Sequence, residues 1–473
     1  MKAVLQQQQC IMTIIELSKE VQFILIIIGS IFIGIPLRYL KRPTSRKFLP
    51  AAIGLTMVLV FCRMQAFHSL LCFIVIASLI KLRVTYLVPA SFTWLFSYLF
   101  FMSHLQNLGF EKQLDVTKTL HFIVTLKLIS IACDISDFRR RLKNDEKSKS
   151  TIYIISFKNE PSVVDLFSYT YCYAGLFTGP FYTFKTFIDF TKQPTTAMYK
   201  NAKMTIETKK ILAILVSGLL HILLPKVTNY KLLITSEYSE IPFYYRLLYP
   251  FLFLIEQRLK FYSVWLGAEL SFQSLNFGAY PEITTPKPGC GPTSNFDQIN
   301  TNDGRAISFA TIKNIEPVEL EKAVSVREMM NRWNLSVKWW LGHYVLRRFP
   351  VKPLRLPVLL FTSAYLHGVK FGYYLATLST IPLMKAEEVL GKYIPALLPK
   401  RLRPAYTVYA WFMSYRAFEY LSVAFYLDLN EVINIWGFLY WYIHFYAVVV
   451  NVFFLIVVGF KKGKISYNKA KSS

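Results

Sequence analysis

Apolar runs about as long as a bilayer is thick recur through this chain of 473 residues, and no other feature limits its fold so strongly. A hydrocarbon core about 30 Å thick needs a helix of roughly 20 apolar residues. Candidate runs are Val21–Leu37, Phe48–Cys62, Ala66–Ile80, Val84–Met102, Leu120–Cys133, Val163–Phe184, Ile211–Leu224, Phe243–Phe272, Trp333–Val345, Leu356–Leu383, Tyr406–Phe425 and Ile433–Phe460. They count to roughly ten to twelve membrane segments, some short and re-entrant. The chain is 54% hydrophobic and 16% aromatic, too apolar for a soluble domain of this length. The expected fold is all-α: a polytopic integral membrane protein whose helices enclose a reaction chamber. Val21–Leu37 lacks a small-residue cleavage site, so it reads as a retained span rather than a signal peptide.

The formal charge of +26 does not point to nucleic acid, because the cations lie in short clusters between apolar runs instead of along one basic face. Arg38, Lys41, Arg42, Arg46 and Lys47 follow the first run; Arg139, Arg140, Arg141, Lys143, Lys147 and Lys149 form a second cluster four runs later. By the positive-inside rule both are cytosolic. The basic stretches Arg347–Arg355 and Lys400–Arg403 also look cytosolic, yet a single apolar run separates them. Such a break in parity suggests bent or half-spanning helices, which are tolerated where they line a cavity, and it marks a candidate site.

Two segments interrupt the pattern. Residues 139–150 read as a charged loop, and residues 280–313, rich in Pro, Gly, Asn, Asp and Thr, read as a solvent loop. No repeat of the transporter kind is visible, so the expectation is one membrane domain over residues 1–473. The six cysteines are scattered, most of them in apolar runs, and neither they nor the seven histidines show metal-ligand spacing. The expectation is no metal and no disulfide framework.

His367 lies near the middle of the Leu356–Leu383 run. An ionisable residue at that depth is costly and by default functional. Gly368 and Gly372 beside it permit close approach of a helix or ligand, and at helical spacing Ser363, Lys370, Phe371 and Tyr374 share roughly its face. The alternative is a packing histidine hydrogen-bonded across helices. His221 and His444 also lie in apolar runs, so depth alone does not separate the three.

Two motifs are more specific. RWNLSVKWWLGHYVLRRFP, Arg332–Pro350, is followed by SAYLHGVKFGYYLATL, Ser363–Leu378. In this order and separation the pair resembles the membrane-bound O-acyltransferase family, whose sites combine an Asn on one segment with a His on a following membrane helix. YCYAGLFTGPFYTFKTFIDF, Tyr171–Phe190, and FGAYP, Phe277–Pro281, are most similar to its lysophosphatidylinositol acyltransferase branch. The family usually has Trp before the motif His where this chain has Leu366, and the branch tends to carry Pro where it has Phe371.

The resemblance implies His367 as general base and Asn334 as its polar partner. An alcohol is a weak nucleophile, so its attack on a thioester needs a group to take its proton. Asn334 can orient the His, hold the hydroxyl or donate to the developing oxyanion. It also heads the one Asn-x-Ser/Thr sequon, Asn334-Leu335-Ser336, and glycosylation is its competing reading. Tyr171–Phe190 reads as a broken helix lining a pocket or as a kinked packing helix. Lys338, Arg347 and Arg348 are either phosphate contacts or interfacial anchors.

The implied reaction transfers a polyunsaturated acyl group, such as arachidonoyl, from acyl-CoA to the sn-2 hydroxyl of lysophosphatidylinositol. Acyl-CoA is a co-substrate and no cofactor is implied. The partners are these two substrates and the bilayer. Lys469 and Lys471 resemble a dilysine-type retrieval signal, giving an expected location in the endoplasmic reticulum membrane. The alternatives are another lysophospholipid as acceptor, a sterol or a protein as acceptor, or a polytopic transporter.

Overall fold

The computed structural model describes residues 19–144, 159–192, 208–227, 232–233, 235–293 and 307–471, and the side chains of the last helix to residue 456. Cys10, Lys147, Lys149, residues 294–306 of the expected solvent loop and the side chains of the dilysine-like tail lie outside the described residues. The described chain is mostly helical. The long helices are α1 Lys19–Leu37, α2 Pro43–Cys62, α3 Ala66–Lys81, α4 Leu87–Ser103 and α5 Asp115–Asn144. After the short α6 Val163–Tyr171 and α7 Phe184–Lys192 come α8 Thr208–Val227 and α9 Phe243–Ser274. A two-stranded antiparallel pair follows, β1 Tyr280–Pro281 with β2 Ile307–Ser308, with Tyr280 opposite Ser308. The rest is α10 Pro317–Glu321, α11 Val326–Arg332, α12 Leu335–Trp340, α13 Arg355–His367, α14 Phe371–Leu397, α15 Arg403–Ser422, α16 Leu429–Phe438 and α17 Tyr442–Lys471.

The chain forms two compact units. The first comprises Met1–Val216, Phe261–Ile315 and Asn334–Tyr344; the second comprises Ser217–Lys260, Glu316–Trp333 and Val345–Ser473.

Among the described residues three helical stretches are long and apolar enough to cross a membrane: Glu20–Leu37, Pro43–Lys81 and Asp115–Lys143. A fourth arises if Leu429–Phe438 and Tyr442–Ile456, which meet at 70°, count as one bent span. Only 17% of the Glu20–Leu37 window is buried against 83% of the Asp115–Lys143 window. The α1 surface therefore suits lipid, whereas α5, whose buried residues include Lys127 and Asp134, is enclosed by protein in the first unit. Close approach onto neighbouring segments needs glycine: a Cβ on Gly54 of α2 would collide with the Tyr171 carbonyl, and one on Gly34 of α1 with Ser274. In the second unit the core gathers Phe253, Ala376, Leu383, Tyr420, Ala424, Val432 and Trp436.

Several expectations need correction. The runs Val163–Phe184 and Leu356–Leu383 are not continuous helices: the first breaks at Cys172–Thr183 and the second at Gly368–Lys370. Trp333–Val345 contains only α12 and a π-helical turn, Leu341–Leu346. The charged loop starts later than expected, since α5 continues to Asn144. Arg139 there pairs with Glu160 and Arg140 with Asp137 at 3.0 Å, so these two charges find partners without leaving the helix. The described parts of 280–313 are irregular but only partly solvated: Tyr280, Pro281, Thr284, Cys290, Thr311 and Ile312 are buried, and Glu282, Ile283, Thr285, Lys287 and Thr293 are exposed. Arg46, one member of the first basic cluster, is buried with its guanidinium 4.5 Å from the Phe190 ring centre.

Candidate active site

His367 is the last residue of α13. Gly368 ends the helix at φ +135°, a backbone conformation that side chains rarely adopt, and its N–H donates to the Tyr365 carbonyl at 3.0 Å. Phe371 and Tyr374 consequently belong to the next helix, with Lys370 as its cap, and the three do not continue the histidine's face. The imidazole packs edge-on to Phe425, centroids 5.2 Å apart, and tilted against Tyr373 at 5.9 Å. Its side chain is exposed, and among the described residues neither ring nitrogen has a hydrogen-bond partner.

The structure thus separates the three histidines that depth could not. His444 is a packing histidine: Nδ1 meets Tyr420 Oη at 2.9 Å and Nε2 meets Ser379 Oγ at 3.0 Å. His221 Nδ1 lies 3.2 Å from a Glu256 carboxylate oxygen. Elsewhere, His68 bonds Tyr98, His104 the Phe100 carbonyl and His121 Gln113. His343, in the π-helical turn, stacks on Trp339 at 4.8 Å.

Asn334 belongs to the first unit and His367 to the second. Asn334 precedes α12 in a left-handed conformation, φ 47° and ψ 54°. Asn tolerates this region better than most residues, at some strain. Its backbone carbonyl accepts from Lys338 N at 2.9 Å, while its half-buried carboxamide makes no cap bond. The following turn is tightly held. Leu335 N donates to the Asn314 carbonyl at 2.8 Å, and Ser336 Oγ donates to Asn314 Oδ1 at 2.7 Å while accepting from Phe181 N at 3.0 Å. The sequon's serine is therefore built into the core. Further along, Trp340 Nε1 donates to Ser130 Oγ at 2.8 Å and Tyr344 Oη to Asp134 at 3.1 Å, docking α12 and its continuation on α5. Lys338 and Arg347 are exposed and Arg348 is partly buried. Outside the apolar run, the Glu316 carboxylate 2.6 Å from Arg332 raises that guanidinium's pKa.

The motif segments within the first unit converge. Tyr182 and Phe190 both pack on Phe277, at 4.6 and 4.7 Å, and Tyr280 Oη donates to Asp189 Oδ2 at 3.0 Å. α6 starts at a reciprocal cap: Ser162 Oγ accepts from Asp165 N at 3.2 Å while Asp165 accepts from Ser162 N at 3.1 Å. It stops after Tyr171, leaving last-turn carbonyls without helical partners. Lys127 of α5, fully buried, supplies them: its Nζ donates to the carbonyls of Tyr169 at 3.1 Å and Thr170 at 3.3 Å, and to Tyr182 Oη at 2.9 Å. Sequence reasoning missed Lys127, although a lysine in the middle of Leu120–Cys133 meets the same criterion that singled out His367.

We expect Lys127→Met to lower the thermal unfolding midpoint in detergent by several degrees. Each buried carbonyl left without a donor costs about 1–3 kcal/mol. An unchanged midpoint would remove the capping role.

A model of the membrane-bound O-acyltransferase family matches residues 66–427. The chain belongs to this family. Among curated relatives, the membrane-bound acylglycerophosphatidylinositol O-acyltransferase mboat7 of Danio rerio is 31% identical over 454 residues, covering 94% of this chain and 94% of the relative. The protein of that name from Homo sapiens is 30% identical over 434 residues, covering 88% and 90%. The membrane-bound acylglycerophosphatidylinositol O-acyltransferase frj of Drosophila melanogaster is 27% identical over 446 residues, covering 89% and 88%. Membership in the membrane-bound O-acyltransferases bears out the resemblance and sets the reaction class, O-acyl transfer. The helix start gives one departure a physical account. Phe371 is the first residue of α14, a position where proline is favoured because its missing N–H would be unpaired anyway. A Phe there forfeits little. Leu366 is buried.

Proposed function

We propose that this chain transfers a fatty acyl group, polyunsaturated by preference, from acyl-CoA to the sn-2 hydroxyl of lysophosphatidylinositol. His367 takes the hydroxyl proton as the oxygen attacks the thioester carbonyl. Asn334 donates to the oxyanion that develops. As the intermediate collapses the C–S bond breaks, CoA leaves as thiolate and recovers the proton from the imidazolium, and phosphatidylinositol is the second product. No acyl-enzyme forms and no cofactor is required. The observation that carries this reading is the His367 imidazole: exposed, placed by a helix end and a glycine, and with its nitrogens unclaimed by the described residues.

The full chain acts in this reading as one membrane domain of roughly ten to twelve segments around a chamber, in the endoplasmic reticulum membrane. The broken runs support the chamber, because irregular backbone at membrane depth is tolerated where protein or a cavity surrounds it. The printed names of the relatives support the inositol lipid as acceptor.

An inositol offers several hydroxyls, and a site built to pair with them leaves buried polar groups unsatisfied when another head group binds. Purified protein assayed against a panel of lysophospholipids is expected to favour lysophosphatidylinositol over lysophosphatidylcholine by at least about tenfold in kcat/KM, about 1.4 kcal/mol. Equal rates in matched detergent would remove the inositol assignment and leave the acyltransferase standing.

A further inference from the structure

Behind Asn334 lies a chain of buried hydrogen bonds that the proposed chemistry does not use. Glu269 of α9 is almost wholly buried. One of its carboxylate oxygens accepts from the backbone N–H of Asn314 at 2.7 Å and from that of Ile315 at 3.3 Å. The other lies 2.9 Å from Lys210 Nζ of α8. Asn314, so held, turns both of its oxygens to the start of α12: its carbonyl takes the Leu335 N–H and its side-chain oxygen takes the Ser336 hydroxyl. These are the two residues that follow Asn334, and all the groups involved lie in the first unit. A backbone in the left-handed region at a residue other than glycine persists only when its surroundings over-determine it, and here they do.

We infer that Glu269, through Asn314, is a positioning residue for Asn334, setting the direction of its carboxamide without touching substrate. The inference rests on the proposed role of Asn334. A carboxylate taking two backbone N–H groups makes stronger bonds than a neutral acceptor, and the Lys210 amine balances its charge. A small displacement of a donor aimed at a transition state lowers kcat while leaving binding intact.

The test compares two paired variants of the full-length protein in detergent. Lys210→Met with Glu269→Met removes the acceptor and avoids stranding a buried amine. Lys210→Met with Glu269→Gln keeps a side-chain oxygen able to take the Asn314 N–H. The first pair is expected to lower kcat about tenfold or more with KM for both substrates within about twofold, and the second to recover most of that loss, a rescue that general destabilisation would not give. In an Asn334→Gly background, which suits the left-handed backbone, the difference between the pairs should vanish. Equal kcat for the two pairs, or a difference that persists in the Asn334→Gly background, overturns the inference. Full activity of Asn334→Gly alone overturns the reading of Asn334 and the inference with it. If the first pair does not fold, Ser336→Ala cuts the same chain at its other end and is expected to give the same kcat loss, absent in the Asn334→Gly background; wild-type kcat for Ser336→Ala overturns the inference.

Discussion

Replacing His367 with alanine is expected to leave a folded, extractable protein whose acyl transfer falls by about a hundredfold to ten-thousandfold, the usual cost of deleting a general base. The two halves of this expectation come from the same local geometry. Among the described residues the His367 imidazole makes ring contacts with Phe425 and Tyr373 and no hydrogen bond, so its removal strands no buried partner there. Its ring is exposed at a helix end, where a substrate hydroxyl can reach it. His444 supplies the contrast, because both of its nitrogens are engaged by Tyr420 and Ser379. His444→Ala should lower thermal stability and spare the turnover of the fraction that stays folded. The measurement is acyl transfer per folded molecule, with folding scored by gel filtration and thermal midpoint. Near-normal turnover by folded His367→Ala would reject the base assignment.

Hydropathy made the early helices legible: α1, α2 and α3 contain the apolar runs that announce them, extended by a few residues. It left the breaks illegible, because they are backbone events. The Gly179-Pro180 pair and Gly368 mark the breaks in Val163–Phe184 and Leu356–Leu383; the sequence allows a broken helix over Tyr171–Phe190, whereas Gly368 reads in it as room for a helix or a ligand. The parity conflict between the basic stretches did point to bent helices in the region where α13 ends at His367. The described part of residues 280–313 departs from a wholly solvated loop for a different reason. Turn-forming composition reports a lack of period and says nothing of burial, and here the irregular backbone is pinned by specific bonds such as Gly289 N to the Thr311 carbonyl at 2.9 Å. Lys127 and Glu269, charges inside apolar runs, escape the sequence reading because their importance depends on partners about 40 residues or more away in sequence. His367 and Asn334 became a pair through family resemblance. Spacing and periodicity alone left each with a competing reading.

Asn334 permits a sharper experiment than simple deletion, because its backbone and its side chain can be tested apart. At φ 47° an alanine is strained by roughly 1 kcal/mol relative to glycine, whereas both substitutions remove the carboxamide equally. If the carboxamide donates to the developing oxyanion, Asn334→Gly and Asn334→Ala should lose kcat to a similar extent, about a hundredfold to a thousandfold, as for other lost oxyanion donors. Asn334→Ala should in addition unfold at a lower temperature than Asn334→Gly. KM for acyl-CoA and lysolipid should change little, since an interaction gained in the transition state contributes to kcat rather than to ground-state binding. Near-normal turnover of Asn334→Gly beside an impaired Asn334→Ala would show that this position contributes only its left-handed backbone, and the oxyanion role would have to be assigned to another donor.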